Sequence, residues 1–124
     1  MNSILNVLNI FTVFFVVYTD LLSTPEDVTV IKGGTVRFNC STTLEFVDWQ
    51  FIKPDSDDAP VVINYQQNIV DSYKSRHSLI TDEPGVFDLQ IDRTVLSDAG
   101  TYICVDNGGF GPQKATAKLT VLGM

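Results

Sequence analysis

Histidine occurs once in this sequence and cysteine twice. A single imidazole leaves no partner for a histidine metal site, and two cysteines are too few for a zinc cluster or a disulfide-dense scaffold. No Gly-x-Ser-x-Gly elbow occurs, so the strand-to-helix turn that exposes a hydrolase serine is missing. His77, with Ser75, Ser78 and Asp82 nearby, is therefore read as a surface or packing residue, and the chain is expected not to be an enzyme. Basic residues are also scarce, with 8 Lys+Arg against 15 Asp+Glu and a net charge of −7. Phosphate backbones and anionic membrane surfaces would be repelled, so neither is expected as a partner. The run Asp55-Ser56-Asp57-Asp58 has the spacing of a calcium loop's start, but Gln66 stands where the twelfth-position glutamate is required. No metal or other cofactor is expected.

Long apolar runs are few. One stands at the beginning, from Ile4 to Tyr18 and densest over Ile10 to Tyr18. It has the length of a signal-peptide core and is short for a membrane span. No lysine or arginine precedes it, so the terminal amine alone supplies the positive end. Small residues suit cleavage after Thr19 or Ser23, which gives a leader over residues 1–23 and a domain over 24–124. No later apolar run reaches the roughly 18 residues of a transmembrane helix, so a secreted product without a membrane span is expected. Its roughly 100 residues support one hydrophobic core.

Helical periodicity longer than a turn is missing too, and alternation takes its place. Apolar residues occupy every second position in Val36-Arg37-Phe38-Asn39-Cys40, in Val47-Asp48-Trp49-Gln50-Phe51 and in Tyr102-Ile103-Cys104. Each run therefore puts one face inward. Strands are expected near 27–31, 35–40, 46–53, 61–65, 76–80, 86–91, 101–106 and 115–122, with a looser stretch at 66–75. Turns fall at Gly33-Gly34, Pro54 to Asp58 and Pro84-Gly85. About nine short strands at a spacing of roughly ten residues imply an all-β sandwich. Asn39-Cys40-Ser41 is a glycosylation sequon, lying by this reading inside a strand.

The two cysteines bracket the only tryptophan, and the second closes the run Asp98-Ala99-Gly100-Thr101-Tyr102-Ile103-Cys104. This order of Cys40, Trp49, Tyr102 and Cys104 resembles the immunoglobulin superfamily, and the segment between Trp49 and Tyr65 resembles its variable (V-set) type. There Lys53-Pro54 and Ala59-Pro60-Val61-Val62-Ile63 look like the corresponding part of an antibody light-chain variable domain. The resemblance implies a Greek-key sandwich of V-type with one inter-sheet disulfide, Cys40 to Cys104, and Trp49 packed on it. Closing a loop of roughly sixty residues is worth about 4 kcal/mol in the chain-entropy model. It also implies that Arg76 pairs with Asp98 at a corner where Tyr102 returns its hydroxyl to the backbone and Gly100 permits a tight turn.

The likeness to an antibody chain stops at the tail. Lys118 to Gly123 reads like a joining segment, but in that register Gln113 stands at the place of the phenylalanine in the Phe-Gly-x-Gly bulge, and Phe110-Gly111 comes three positions early. Ile52 replaces the glutamine with which light chains bond their partner. A germline-encoded V-type recognition protein is the expectation. If Trp49 and Cys104 point inward, then Gln50, Ile52, Ile103 and Val105 point outward on one sheet, joined by Val62. Several apolar residues on one face suggest a covered surface and hence a homodimer, a second Ig-like partner or an adhesion contact. The loop from Asn107 to Gln113, with Phe110 among three glycines and a proline, has the chemistry of a recognition loop for a protein or glycan ligand, as in immune recognition.

Overall fold

The computed structural model describes residues 21–43, 46–106 and 113–123. Among them twelve short strands form: β1 (Leu21–Ser23), β2 (Val28–Ile31), β3 (Val36–Phe38), β4 (Ser41–Thr42), β5 (Asp48–Ile52), β6 (Val61–Val62), β7 (Asn64–Tyr65), β8 (Asn68–Ile69), β9 (His77–Ile80), β10 (Asp88–Ile91), β11 (Gly100–Asp106) and β12 (Gln113–Leu122). Single 3-10 turns occupy Asp71–Tyr73 and Leu96–Asp98. One sheet has the order β3-β10-β9 and the other β2-β12-β11-β5-β6, with β1-β4 and β7-β8 as two-stranded ribbons. Every pairing is antiparallel except that of β2 with β12.

Alternation builds the sandwich. Val36 and Phe38 of β3, Trp49 and Phe51 of β5, Leu89 and Ile91 of β10, and Tyr102 and Cys104 of β11 all enter one core. Burying each large apolar side chain contributes roughly 1.5–3 kcal/mol, so these residues dominate stability. Phe38 stacks on Tyr102 with ring centroids 5.1 Å apart, and Phe51 tilts against the same ring at 4.9 Å. A disulfide joins Cys40, just past β3, to Cys104 on β11 across a Cα separation of 6.6 Å, so it ties one sheet to the other. Trp49 lies directly opposite Cys104 in the ladder, with none of its surface exposed.

The strands outnumber the roughly nine expected because one expected strand is split and β1, β4 and β8 form where none was expected. Beyond Cys40 the chain forms β4, which pairs with β1 at Leu21–Ser23, inside the segment read as leader. The run 61–65 breaks at Ile63, which is fully buried, and the left-handed backbone of Gln66 (φ 55°) turns the chain into β8. The stretch 66–75, read as loose, holds β8 and a 3-10 turn. Residues 1–20, the core of the expected leader, lie outside the described residues.

Candidate functional site

The corner before β11 is held by charge and by one hydroxyl. Arg76 Nη1 donates to Asp98 Oδ2 at 2.6 Å and Nη2 to Oδ1 at 2.9 Å, a two-bond ion pair that is largely buried on the carboxylate side. Val95 N also donates to Asp98 Oδ2, at 2.8 Å. Burial pushes the Asp98 carboxyl up, but the Arg76 hydrogen bonds, the Val95 amide and the neighbouring positive charge outweigh it and hold the group below its ordinary value. Tyr102 donates its hydroxyl to Asp98 O at 2.6 Å. Burial, with the Asp98 charge second, pushes that phenol far above its ordinary range.

His77 sits against this corner. Its Nδ1 lies 3.2 Å from Tyr73 O, and because a carbonyl only accepts, Nδ1 carries the proton and Nε2 holds a lone pair. That Nε2 is buried with no partner among the described residues. Burial lowers the imidazole's affinity for a proton, opposed by the Asp98 charge and reinforced by Arg76. His77 is thus a neutral packing residue, with its ring edge-on to Tyr73 at 5.0 Å.

A second polar device escaped the sequence reading. Asn64, fully buried, accepts from Trp49 N at 2.7 Å and donates to Val47 O and Gln66 O. Its amide stands in for the strand pairing that β7 lacks there and splices the β7-β8 ribbon to β5. The available signal was a lone amide directly after Val61-Val62-Ile63. Near the other end of the ladder, Thr42 Oγ1 donates to the buried Asp106 Oδ2, which joins β4 to the end of β11.

The outward face of the five-stranded sheet differs from expectation at two residues. Ile103 and Val105 alternate with Tyr102 and Cys104 and lie outside the core cluster, yet only 7% and 2% of their surface is exposed. They point away from the core as expected, but little of either side chain is left for a partner to cover. β11 is a central strand, with Ile103 between Gln50 and Thr116 and Val105 between Asp48 and Lys114. Gln50, Ile52 and Val62 remain half-buried, with Gln50 directly opposite Val62. Beside them Val61 and Tyr65 are well exposed, at 48% and 62%.

The remaining candidates lie at the ends. Asn107 and Phe110 of the expected recognition loop fall outside the described residues. Gln113, the first residue of β12, accepts from Leu21 N at 3.0 Å, which anchors β1 beside that loop's exit. Asn39 is exposed and lies just past β3. At the opposite end Ile31 and Leu122 are paired in register and exposed, with Leu96 nearby. Among the described residues no helix is long and apolar enough to cross a membrane.

The sequence pattern of the immunoglobulin V-set domain matches residues 23–122. The chain belongs to the immunoglobulin V-set family. No curated protein matches it. V-set membership accounts for the two sheets, the Cys40–Cys104 disulfide and the buried Trp49 as parts of one frame. V-set domains are typically binding modules without enzymatic activity and commonly mediate protein interactions, so the frame is a platform for recognition and the partner depends on what the surface carries.

Proposed function

We propose that this chain is a secreted V-set recognition module that binds a protein or glycan partner in immune recognition. The carrying observation is the patch of Gln50, Ile52 and Val62 on the outward side of the five-stranded sheet, whose core-facing side is already full, with Val61 and Tyr65 well exposed along the adjoining edge segment. Tyrosine presents a large, rigid contact with a polar tip, which suits it to recognition. Gln50 supplies a hydrogen-bonding amide beside it.

β1 supports cleavage of the leader after Thr19 rather than Ser23. A cut after Ser23 would remove Leu21 N from Gln113 and the Ser23 hydroxyl from Ser41, its partner at 2.6 Å. A cut after Thr19 keeps the whole strand.

The second reading is self-pairing or adhesion through the same face, favoured by the apolar Ile52 and Val62 beside Gln50. Burial of Ile103 and Val105 shrinks the area available to it. Analytical ultracentrifugation of the secreted domain separates the two readings. A monomer whose capture of ligands from a protein and glycan panel is lost in Tyr65→Ala and Ile52→Asp is the expected result. A salt-insensitive dimer lost in Ile52→Asp would favour self-pairing, and a monomer whose capture ignores both substitutions would remove this face from the function.

A further inference from the structure

The outer face of the three-stranded sheet carries a residue that the recognition surface does not use. On β3 Val36 and Phe38 enter the core while Arg37 points out, and Asn39 continues that alternation as an exposed residue between buried Phe38 and buried Cys40. The backbone beneath it is pinned. Cys40 N donates to Asp88 Oδ1 at 2.9 Å, Phe87 N donates to Cys40 O at 2.9 Å, and Arg37 holds the other Asp88 oxygen at 3.0 Å. The Asn39 amide itself has no protein partner among the described residues. It is also the acceptor of an Asn-x-Ser sequon whose middle residue is not proline.

We propose that Asn39 carries an N-linked glycan. The proposal rests on the secreted reading, because the donor, an oligosaccharide held on a lipid diphosphate, is met inside the secretory pathway. Asn39 Nδ2 attacks the anomeric carbon of that donor. The N–C bond forms, the C–O bond to the diphosphate breaks, the lipid diphosphate leaves with the electron pair, and the amide gives up one proton. The sugar then stands beside Arg37, two positions back on the same face, and Asp88, which the β3–β10 register extended by one residue puts opposite Asn39. Gln50, Ile52 and Val62 belong to the opposite sheet, so the glycan shields one side of the sandwich and leaves the other open to a partner. A large hydrophilic group is compatible with this position because its nearest neighbours on that face, Arg37 and Asp88, are charged and already paired with each other.

The test is expression of the full chain in a eukaryotic secretory host, with the Asn39 peptide read by mass spectrometry before and after peptide:N-glycosidase treatment in heavy-oxygen water. A glycan mass that converts on digestion to heavy-oxygen aspartate at position 39, and that is lost in Asn39→Gln but kept in Ser41→Thr, is the expected result. Asn39→Gln keeps an exposed amide, so its loss of glycan is not a folding failure. Protein in the medium with a bare Asn39 overturns the glycan and leaves the recognition reading standing. Chain found only in the cytosol, with a bare Asn39 and reduced cysteines, overturns both.

Discussion

A methyl group at Gly100 would lie 2.5 Å from Ile52 O and 2.7 Å from the Phe51 ring, and the backbone there has a φ of 151°. Neither neighbour can yield, one being ladder backbone and the other a core ring. Gly100→Ala is expected to cost at least about 2 kcal/mol, read as a lower denaturant midpoint at unchanged slope. Two positions on, Tyr102→Phe removes one hydrogen bond and leaves the Asp98 carbonyl without its donor, for a loss of about 1–2 kcal/mol. His77 sets a pH dependence. Burial holds its folded-state affinity for protons below that of the unfolded chain, so acidification favours the unfolded state. Stability is therefore expected to be flat above the ordinary histidine value of about 6.5 and to fall as pH drops from there toward the lowered folded value. Thermal melts across that range should show this slope flattened in His77→Gln, and a His77→Gln protein with the same slope would refute the assignment. Asp98 acts in the same direction at lower pH, since its depressed carboxyl contributes stability that is lost only as it protonates.

Among the elements, the short ones carry the information that alternation alone does not. β1 spans three residues and is held by the Leu21–Gln113 bond, the Ser23–Ser41 hydroxyl pair and its ladder with β4. The first residue of the secreted protein is accordingly expected to be Asp20 by N-terminal sequencing, and a chain started at Thr24 should unfold about 1–2 kcal/mol more easily. The β7-β8 ribbon is equally brief and depends on Asn64. Asn64→Leu would leave Trp49 N and Val47 O unsatisfied in a dry interior, at a cost of about 2–4 kcal/mol. These strands were hard to read because two residues offer no period. β3, β5 and β11, with three to seven residues and a fixed inward parity, were legible from their apolar alternation.

At the scale of the molecule, the disulfide joins residues 64 positions apart. Replacing Cys40 and Cys104 together with alanine is expected to remove about 4 kcal/mol, a large share of the 5–15 kcal/mol typical of a domain. The sandwich, its disulfide and the side of each strand that faces the core were legible because they follow from local alternation around Cys40, Trp49 and Cys104, and burial of that one face leaves a single consistent register. Solvent exposure was not legible in the same way. Parity turned Ile103 and Val105 away from the core, but their exposure depends on contacts made in the folded molecule, which alternation along one strand does not carry. Arg76 and Asp98 likewise meet across 22 positions only because β9 and the corner before β11 are brought together. The alternating pattern selects the frame because it acts between neighbours along the chain. The half-buried patch at Gln50, Ile52 and Val62, the exposed Val61 and Tyr65, the buried pair on β11 and the neutral His77 were decided by contacts between residues distant in sequence.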